Sequence, residues 1–576
     1  MTARRTLMKT IGLALAGSML SSISGIADAA AGMRPQSAQG GRAPNVVVIL
    51  VDDMGFSDFG CYGGEIPTPN IDALASGGLR FTQFYNNARC SPTRAALLTG
   101  LNPHQAGMGY LSGKIEPESR GTFGRLHERS VTIAQLLQGA GYMTAFTGKW
   151  HLGNKPGTTP ETRGFDRSLS AGAGGIYFSD QRFGKAGRGS RFLLRDGKRV
   201  ELNDPSLGKN WYGTDLWTDW GIRYIDEARE KKKPFFLYLA HVAPHFPLMA
   251  PQADIEKFVG KYRAGWDKLR AERFKRQQAM GLIGPNTGLG ELSDDGDEWD
   301  SLSEADKIRF DRIMAVYAAA ITRIDAAVGR LTAHLKATGE LDNTLILVMS
   351  DNGGNAESGP RGRTGQAPWG GPASDTWTGM NWAGLQNTPF RTFKHFTHEG
   401  GIATPLVAHW PAGIAANRRG QLERTPGQVI DIMPTVLELT GASYPKTFGG
   451  NAILPMEGTS LAPLLKGQSI ARGKPLFWAH EGNRAVRDGR WKAVKRLGYP
   501  WQLFDMDADR TERTDLAQAQ APRLAAMAAT WDKWAERTFV DEWTDDVRRT
   551  DWGAPLRTAA TEGPNRPAGR KRRRNR

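Results

Sequence analysis

The sequence predicts an α/β fold: a large, mostly parallel sheet flanked by helices, followed by a small C-terminal antiparallel sheet plus helix. Three observations predict it. Apolar, β-branched runs of strand length alternate with helical patterns, the rhythm of strands joined by helical crossovers. Each of those runs ends in acids, amides, histidines or a lysine. The C-terminal part switches to short strands with turn signals and then a helix. With 576 residues, 40% of them hydrophobic, the chain is long enough for a large core and more than one unit.

The N-terminal segment is expected to stand outside that fold. Arg4 and Arg5 precede a mild Ala/Gly/Leu/Met stretch that reaches about Ile26, and Ala27-Asp28-Ala29 is an A-x-A-like cleavage site. The start ARRTLMK resembles a twin-arginine export signal. Residues 1–29 therefore read as an export signal peptide, and the mature protein as periplasmic. The apolar part of the signal is short and rich in small residues, which argues against an anchor. Later apolar runs are strand-length, so no transmembrane span is expected in the mature chain.

Four runs then carry the sheet. Asn45-VVVILV-Asp52 is a buried strand. Thr144-AFTGKWHLG follows the helical TIAQLLQGAG, and Pro234-FFLYLAHVAP follows TDWGIRYIDEAREK. Thr344-LILVMS follows a long helix around Ala315–Thr338. Glycine or proline stops each helix. The charged, Gly-rich stretch between about Lys257 and Ile308 reads as a surface insertion near the substrate entrance.

The residue types at the strand ends point to chemistry. The first strand ends in Asp52 and Asp53, the last in Asp351 and Asn352; His241 and His245 come after FFLYLA, and Lys149 and His151 lie within the second. In open α/β sheets, ligands bind at the carboxyl ends of strands, so these groups should converge on one crevice. Alone, an Asp-Asp pair is as readily a turn or a helix cap. Four such ends in one chain are harder to dismiss. Three carboxylates and an amide oxygen suit a hard divalent cation, Ca²⁺ or Mg²⁺. With only two cysteines, the composition argues against a thiolate zinc site.

Those cysteines are Cys61 and Cys90, and Cys90 opens the stretch CSPTRAALLTG. TRAALLT is helix-forming, Pro92 suits the first turn, and Gly100 can end the helix in a left-handed cap. Cys90 then lies at a helix N-terminus, which favours an anion. Arg94 is one turn on, and its fork of donors suits a tetrahedral oxyanion. A Cys61–Cys90 disulfide would remove the cysteine from that place and is not expected.

On these residues the chain resembles the type I, formylglycine-dependent sulfatases of the alkaline phosphatase superfamily, in their bacterial arylsulfatase branch. Their Cys-x-Pro-x-Arg signature followed by Thr-Gly is met by Cys90, Pro92, Arg94, Thr99 and Gly100. PNVVVILVDDMGFSDFGCYGG, TGKWHLG, APHFP, SDNGG and KHFTHEGG occur in family order, and the resemblance runs from about residue 43 to 545. It implies an alkaline phosphatase-like catalytic domain over 43–465 and a small α+β subdomain over 466–545, built from AVRDGRWKAVKR, WQLFDMDADRTERTDL and the helix APRLAAMAATWDKWAER.

The resemblance also implies roles. Cys90 would be oxidised to formylglycine by a formylglycine-generating enzyme, and one hydroxyl of the aldehyde hydrate would attack sulfur. Asp52, Asp53, Asp351 and Asn352 would hold one Ca²⁺, which the residue formed from Cys90 would also touch. Arg94 and Lys149 would orient the hydrate. His151 would be the base that breaks the covalent sulfate adduct, and His245 and Lys394 would support the leaving group. The substrate would be a small-molecule or carbohydrate sulfate ester. His104 could reach the substrate, or serve only its loop. His241 reads as a packing residue, and His398 as support for the Lys394 loop.

The net charge of +16 invites a nucleic-acid reading, but the tail from Arg566 to Arg576 alone carries seven positive charges and no negative one. Residues 546–576 are expected to be a disordered basic tail, and no specific nucleic-acid partner is expected. Two other readings stand beside the sulfatase. One is a phosphonate or phosphate ester hydrolase on the same scaffold, which matched sulfate and phosphate esters would separate. The other is a polyanion-binding protein working through the tail, for which Cys90 would be dispensable.

Overall fold

The computed structural model describes residues 43–113, 119–153, 155–181, 192–292, 296–365 and 367–543. The expected signal (1–29) and basic tail (546–576) lie outside the described residues. The strands, in chain order, begin with β1 (Asn45–Val51), β2 (Leu79–Tyr85), β3 (Met143–Gly148), β4 (Arg167–Ser170), β5 (Phe192–Arg195) and β6 (Lys198–Glu201). Next come β7 (Phe235–Ala240), β8 (Thr344–Ser350), a hairpin of β9 (Arg363–Gly365) and β10 (Ser374–Trp377), then β11 (Ala403–His409), β12 (Gln421–Glu423) and β13 (Gly427–Gln428). The main sheet runs β12-β2-β11-β8-β1-β7-β3-β4-β5-β6, with β13 also beside β2.

All seven residues of β1 are buried, as a strand covered on both faces requires. Its period of two divides the core. Val47, Ile49 and Val51 join the helices Pro69–Ser76, Gly213–Glu230 and Glu304–Ala337. Val46, Val48 and Leu50 join the opposite layer, with the helices Cys90–Thr99, Ile133–Gly139 and Ile432–Thr440.

The centre is parallel: β1 pairs with β7 and β8, and β3 pairs with β7 and β4. The flanks are not. β11 runs antiparallel to both β8 and β2, and β4, β5 and β6 form an antiparallel run. The chain between β8 and β11 stays at the carboxyl end of β8, where it carries Asn352 and Lys394. It therefore returns without the crossover that a parallel neighbour would need.

Two expectations need correction. The long helix spans Glu304–Ala337, starting well before Ala315, because Ser303 caps it by accepting from the Asp306 N–H. The stretch 257–308 is not merely a surface insertion. Its helix Trp266–Ala279 is anchored by Arg273, which is fully buried and pairs with Asp58 and Glu65 at 2.7 and 2.6 Å. Trp266 and Trp299 pack with Trp382 in the same core.

After the short ladder of β14 (Thr447–Phe448) and β15 (Asn451–Ala452), a four-stranded antiparallel sheet closes the chain. It consists of β16 (Leu476–His480), β17 (Asn483–Asp488), β18 (Trp491–Lys495) and β19 (Trp501–Asp505). The helix Ala521–Arg537 covers one face with Met527, Trp531 and Trp534 against Val486, Ala493 and Leu503. Cys61 and Cys90 are both free and buried. Among the described residues no helix is long and apolar enough to cross a membrane.

Candidate active site

The ends of β1, β3, β7 and β8 and the start of the Cys90–Thr99 helix meet at one place. The helix begins at Cys90 and ends at Gly100, whose φ of 64° is the left-handed cap. Cys90 lies in the wall of a cavity of about 210 Å³ with Arg89, His151, His245, Glu357 and Lys394.

Beside the cavity, each acid has its own cation. Lys149 Nζ lies 2.6 Å from Asp52 Oδ2. Lys394 Nζ donates to both oxygens of Asp53, at 2.7 and 3.0 Å. Arg94 holds Asp351 Oδ2 through Nε and one terminal nitrogen, at 3.1 and 2.7 Å. Its other terminal nitrogen donates to the Lys149 carbonyl at 2.7 Å. The Arg94 fork, read from sequence as facing an oxyanion, is thus turned onto a carboxylate, and Arg89 is the guanidinium in the cavity wall.

Asp53 adopts a left-handed backbone, φ 64°. Its carboxylate accepts from Asn352 at 2.8 Å and Asn355 at 2.7 Å, and the Cys90 thiol is 3.9 Å from Oδ1. Gly174, φ 92°, lies close over Lys149: a Cβ there would sit 2.8 Å from Lys149 Cδ.

The electrostatics follow from burial. Burial and the neighbouring Asp351 push Asp52 up to about 7, against the pull of Lys149 and Arg94. Burial would also raise Asp53, but the Lys394 ammonium on both its oxygens, with Lys149 nearby, holds that carboxyl well below its ordinary range. Burial pushes the Cys90 thiol far up, so the thiol itself is a poor nucleophile. His151 is held well below its ordinary value by burial, Lys149 and Arg94, and is neutral. Burial likewise lowers His245 to about 3. Its Nδ1 lies 2.6 Å from the Phe246 carbonyl and donates to it, which leaves Nε2 with the lone pair, 3.6 Å from Asp53 Oδ2.

The donor set fits a hard divalent cation. Asp52 Oδ1 and Asn352 Oδ1 are buried without a hydrogen-bond partner, and the Asp53 carboxylate lies beside Asn352, whose amide nitrogen donates to it at 2.8 Å. Ligand atoms of Asp52, Asp53, Cys90 and His245 lie within 4.8 Å of one another. Oxygen donors of this kind select Ca²⁺ or Mg²⁺ over softer metals.

Sequence reasoning missed Arg89, Asn355 and Glu357. Glu357 pairs with Arg89 at 2.6 Å and lies 3.6 Å from Lys394 Nζ. Only the first arginine of RCSPTR hinted at Arg89. Glu357 comes after a flexible-looking NGGNA run and is placed by local hydrogen bonds with Asn355 and by tertiary contact with Arg89, Lys394 and His395. Of the histidines left without a role, His241 is fully buried with neither ring nitrogen paired. His398 lies 3.4 Å from Gln502 of β19, and His104 lines a second cavity.

Cations, carboxylates and a helix start gathered at the strand ends of such a sheet define a hydrolase for esters of a tetrahedral oxyanion. The oxyanion is fixed by comparison. The family model for sulfatases matches residues 44–442. An uncharacterized sulfatase of Schizosaccharomyces pombe is 34% identical over 88% of this chain and 96% of its own. The arylsulfatase of Klebsiella aerogenes is 36% identical over 73% of this chain and 92% of its own. Among solved structures, Ps i-CgsB in complex with k-i-k-neocarrahexaose matches with a TM-score of 0.65 and 27% identity, over 89% of this chain and 97% of that one. The chain belongs to the sulfatase family and is a sulfuric ester hydrolase.

Proposed function

We propose that the chain cleaves sulfate monoesters of the arylsulfatase type, with formylglycine made from Cys90 as nucleophile and one Ca²⁺ held by Asp52, Asp53, Asp351 and Asn352. The observation that carries this reading is a buried cysteine at a helix start, in a cavity walled by Arg89, His151, His245 and Lys394. A thiol pushed up by burial is a poor nucleophile there, whereas a hydrated aldehyde offers two hydroxyls to the same cavity.

One hydroxyl attacks sulfur, the S–O bond to the alcohol breaks, and the alcohol leaves with a proton. The other hydroxyl then loses its proton, the carbonyl re-forms, and sulfate is expelled; water restores the hydrate. A bound Ca²⁺ would supply positive charge to the oxyanion and acidify a hydroxyl that touches it. Lys394, held protonated by Asp53, is the charged donor for the leaving oxygen. His245 carries its free lone pair on Nε2 and can relay a proton there. Neutral His151 has an unpartnered Nδ1 and serves as the base of the second half. Lys149 and Arg94 act by fixing Asp52 and Asp351. The structural neighbour solved in complex with neocarrahexaose favours a sugar sulfate among the possible esters.

Mass spectrometry of the tryptic peptide Cys90–Arg94 tests the reading directly. Protein made with a formylglycine-generating enzyme should carry the aldehyde, contain one Ca²⁺ per chain, and turn over 4-nitrophenyl sulfate. Cys90→Ala should abolish turnover and Asp351→Ala should lose the metal. Full activity in Cys90→Ala ends the proposal. We further propose export to the periplasm by the twin-arginine route, which moves folded and already modified protein. Replacing Arg4 and Arg5 by Lys should strand the protein inside the cell; unimpaired export would point to another route.

A further inference from the structure

One charged group in the wall of the active-site cavity has no task in the reaction. Glu357 lines that cavity with Arg89, Cys90 and Lys394, and a carboxylate is an odd wall for a site that takes an anion. The residue is 6% exposed and held from several sides. Its N–H donates to Asn355 Oδ1 at 2.7 Å, and Asn355 Nδ2 donates to Glu357 Oε2 at 3.1 Å. Arg89 lies 2.6 Å from Oε1 and His395 Nε2 lies 2.9 Å from the same oxygen. Lys394 Nζ stands 3.6 Å from Oε2.

Two roles are closed to it. Burial would favour the neutral acid, but Arg89, Lys394 and His395 hold the group well below the ordinary carboxylate range. An ionised carboxylate has no proton to give a leaving group. Both oxygens already accept from these neighbours, which leaves little capacity for a hydroxyl of the substrate. What remains is its charge.

The charges of the site pair off. Lys149 is matched by Asp52, Lys394 by Asp53 and Arg94 by Asp351. Arg89 is matched by Glu357. Of these acids, Glu357 is the one that lines the cavity. It therefore cancels the guanidinium beside Cys90 and faces whatever anion enters.

A sulfate monoester carries one negative charge. A phosphate monoester above its second pKa, about 6, carries two on a group of the same tetrahedral shape. Shape and hydrogen bonding separate the two poorly, whereas a fixed negative charge in a small buried cavity acts on the difference.

We propose that Glu357 is a specificity-determining residue: its carboxylate cancels Arg89 and repels the second charge of a phosphate monoester, so that the site takes monoanionic esters. The inference rests on the sulfatase reading above.

The test uses 4-nitrophenyl sulfate, 4-nitrophenyl phosphate and methyl 4-nitrophenyl phosphate at pH 8, where only the second is a dianion. Glu357→Gln keeps the shape of the side chain and removes its charge. On aldehyde-bearing protein it should raise kcat/KM for the phosphate monoester relative to the sulfate by about thirtyfold, the worth of a unit charge about 8 Å away at an effective dielectric near 20. The methyl diester, a phosphorus ester with one charge, should keep its ratio to the sulfate within about twofold. Arg89→Gln should move the monoester ratio the opposite way. An unchanged monoester ratio in Glu357→Gln overturns the proposal. So does an equal rise for both phosphorus esters, which would mean selection by shape. If Glu357→Gln turns over none of the three, the ratio of their dissociation constants, measured by calorimetry on the unconverted Cys90 protein, must show the same shift or the proposal falls. Absence of turnover in the unmodified sequence would be a failure of the hydrolase reading itself, and the binding ratio would still decide the role of Glu357.

Discussion

Lys394 and His151 serve different halves of the proposed reaction, and the difference can be measured. Lys394 is held protonated on Asp53, so its value depends on how much charge the departing oxygen carries. A nitrophenolate needs little help; an alkoxide or sugar oxygen needs much. Removing Lys394 or His245 should therefore hurt alkyl and sugar sulfates more than activated aryl sulfates, by an extra factor of about ten or more. His151 acts after the alcohol has gone. Its loss should bring all esters towards a common slow rate, with a burst of released alcohol. A leaving-group series on His151→Ala, His245→Ala and Lys394→Ala decides this; one shared dependence on leaving-group pKa would refute the division of labour. These residues were legible because each comes after a strand or sits in a dense motif. Glu357 was not, because its partners Arg89, Lys394 and His395 come from distant parts of the chain.

The Cys90–Thr99 helix illustrates what an element contributes. All ten of its residues are buried, so its end must be set within a packed layer. Gly100 does this at φ 64°, and a Cβ there would lie 3.0 Å from both Met433 Cβ and Met456 Cγ. Gly100→Ala should cost about 1–2 kcal/mol from the left-handed backbone alone, read by urea unfolding. An unchanged midpoint would mean that the helix end tolerates another conformation. Elements of this kind could be read from the sequence: apolar runs made the central strands, and glycine marked the helix stop. The segment 257–308 could not. Arg270 and Arg273 look solvated in a charged sequence, yet both are buried, Arg273 against Asp58 and Glu65 and Arg270 against the carbonyls of Gly384 and Gly290. Sequence patterns register charge but not its burial with a distant partner. The antiparallel return of β11 was equally invisible, since ATPLVAH reads the same in either direction of pairing.

At the scale of the whole molecule, the C-terminal sheet meets the catalytic body through an apolar face, with Leu476, Trp478, Ala485, Val494 and Phe504 in the main core, and through buried charge pairs beside it. Lys492 of β18 reaches Glu399 and Glu512 at 2.9 and 2.8 Å, and Arg510 meets Glu399 at 3.1 Å. Glu481, in the turn between β16 and β17, holds His395 at 2.7 Å. Burial and Arg89 press the His395 pKa down, but Glu481 and Glu357 outweigh them and raise it above 6.5. Burial would raise Glu481 and Glu399; His395 and His480 for the first, and Lys492 and Arg510 for the second, hold both below 4.5. The signs then oppose each other. The raised histidine stabilises fully below pH 6.5, and that contribution fades as pH climbs through its folded value. The depressed glutamates stabilise above pH 4.5, and their contribution fades as pH falls through their folded values. Docking should therefore be tightest between these limits, with amide exchange in β16–β19 rising first on the alkaline side. His395→Gln keeps hydrogen-bonding capacity but removes the charge, and should cost about 1.5–3 kcal/mol near pH 5.5, the scale of a hydrogen bond to a charged group. The penalty should shrink as pH rises past neutrality, because the native residue then loses its proton as well. Thermal unfolding and hydrogen exchange of the two proteins across pH 5 to 9 provide the check. A penalty that stayed constant over that range would show that His395 holds the sheet as a neutral ring, and the charge-based account of docking would fall.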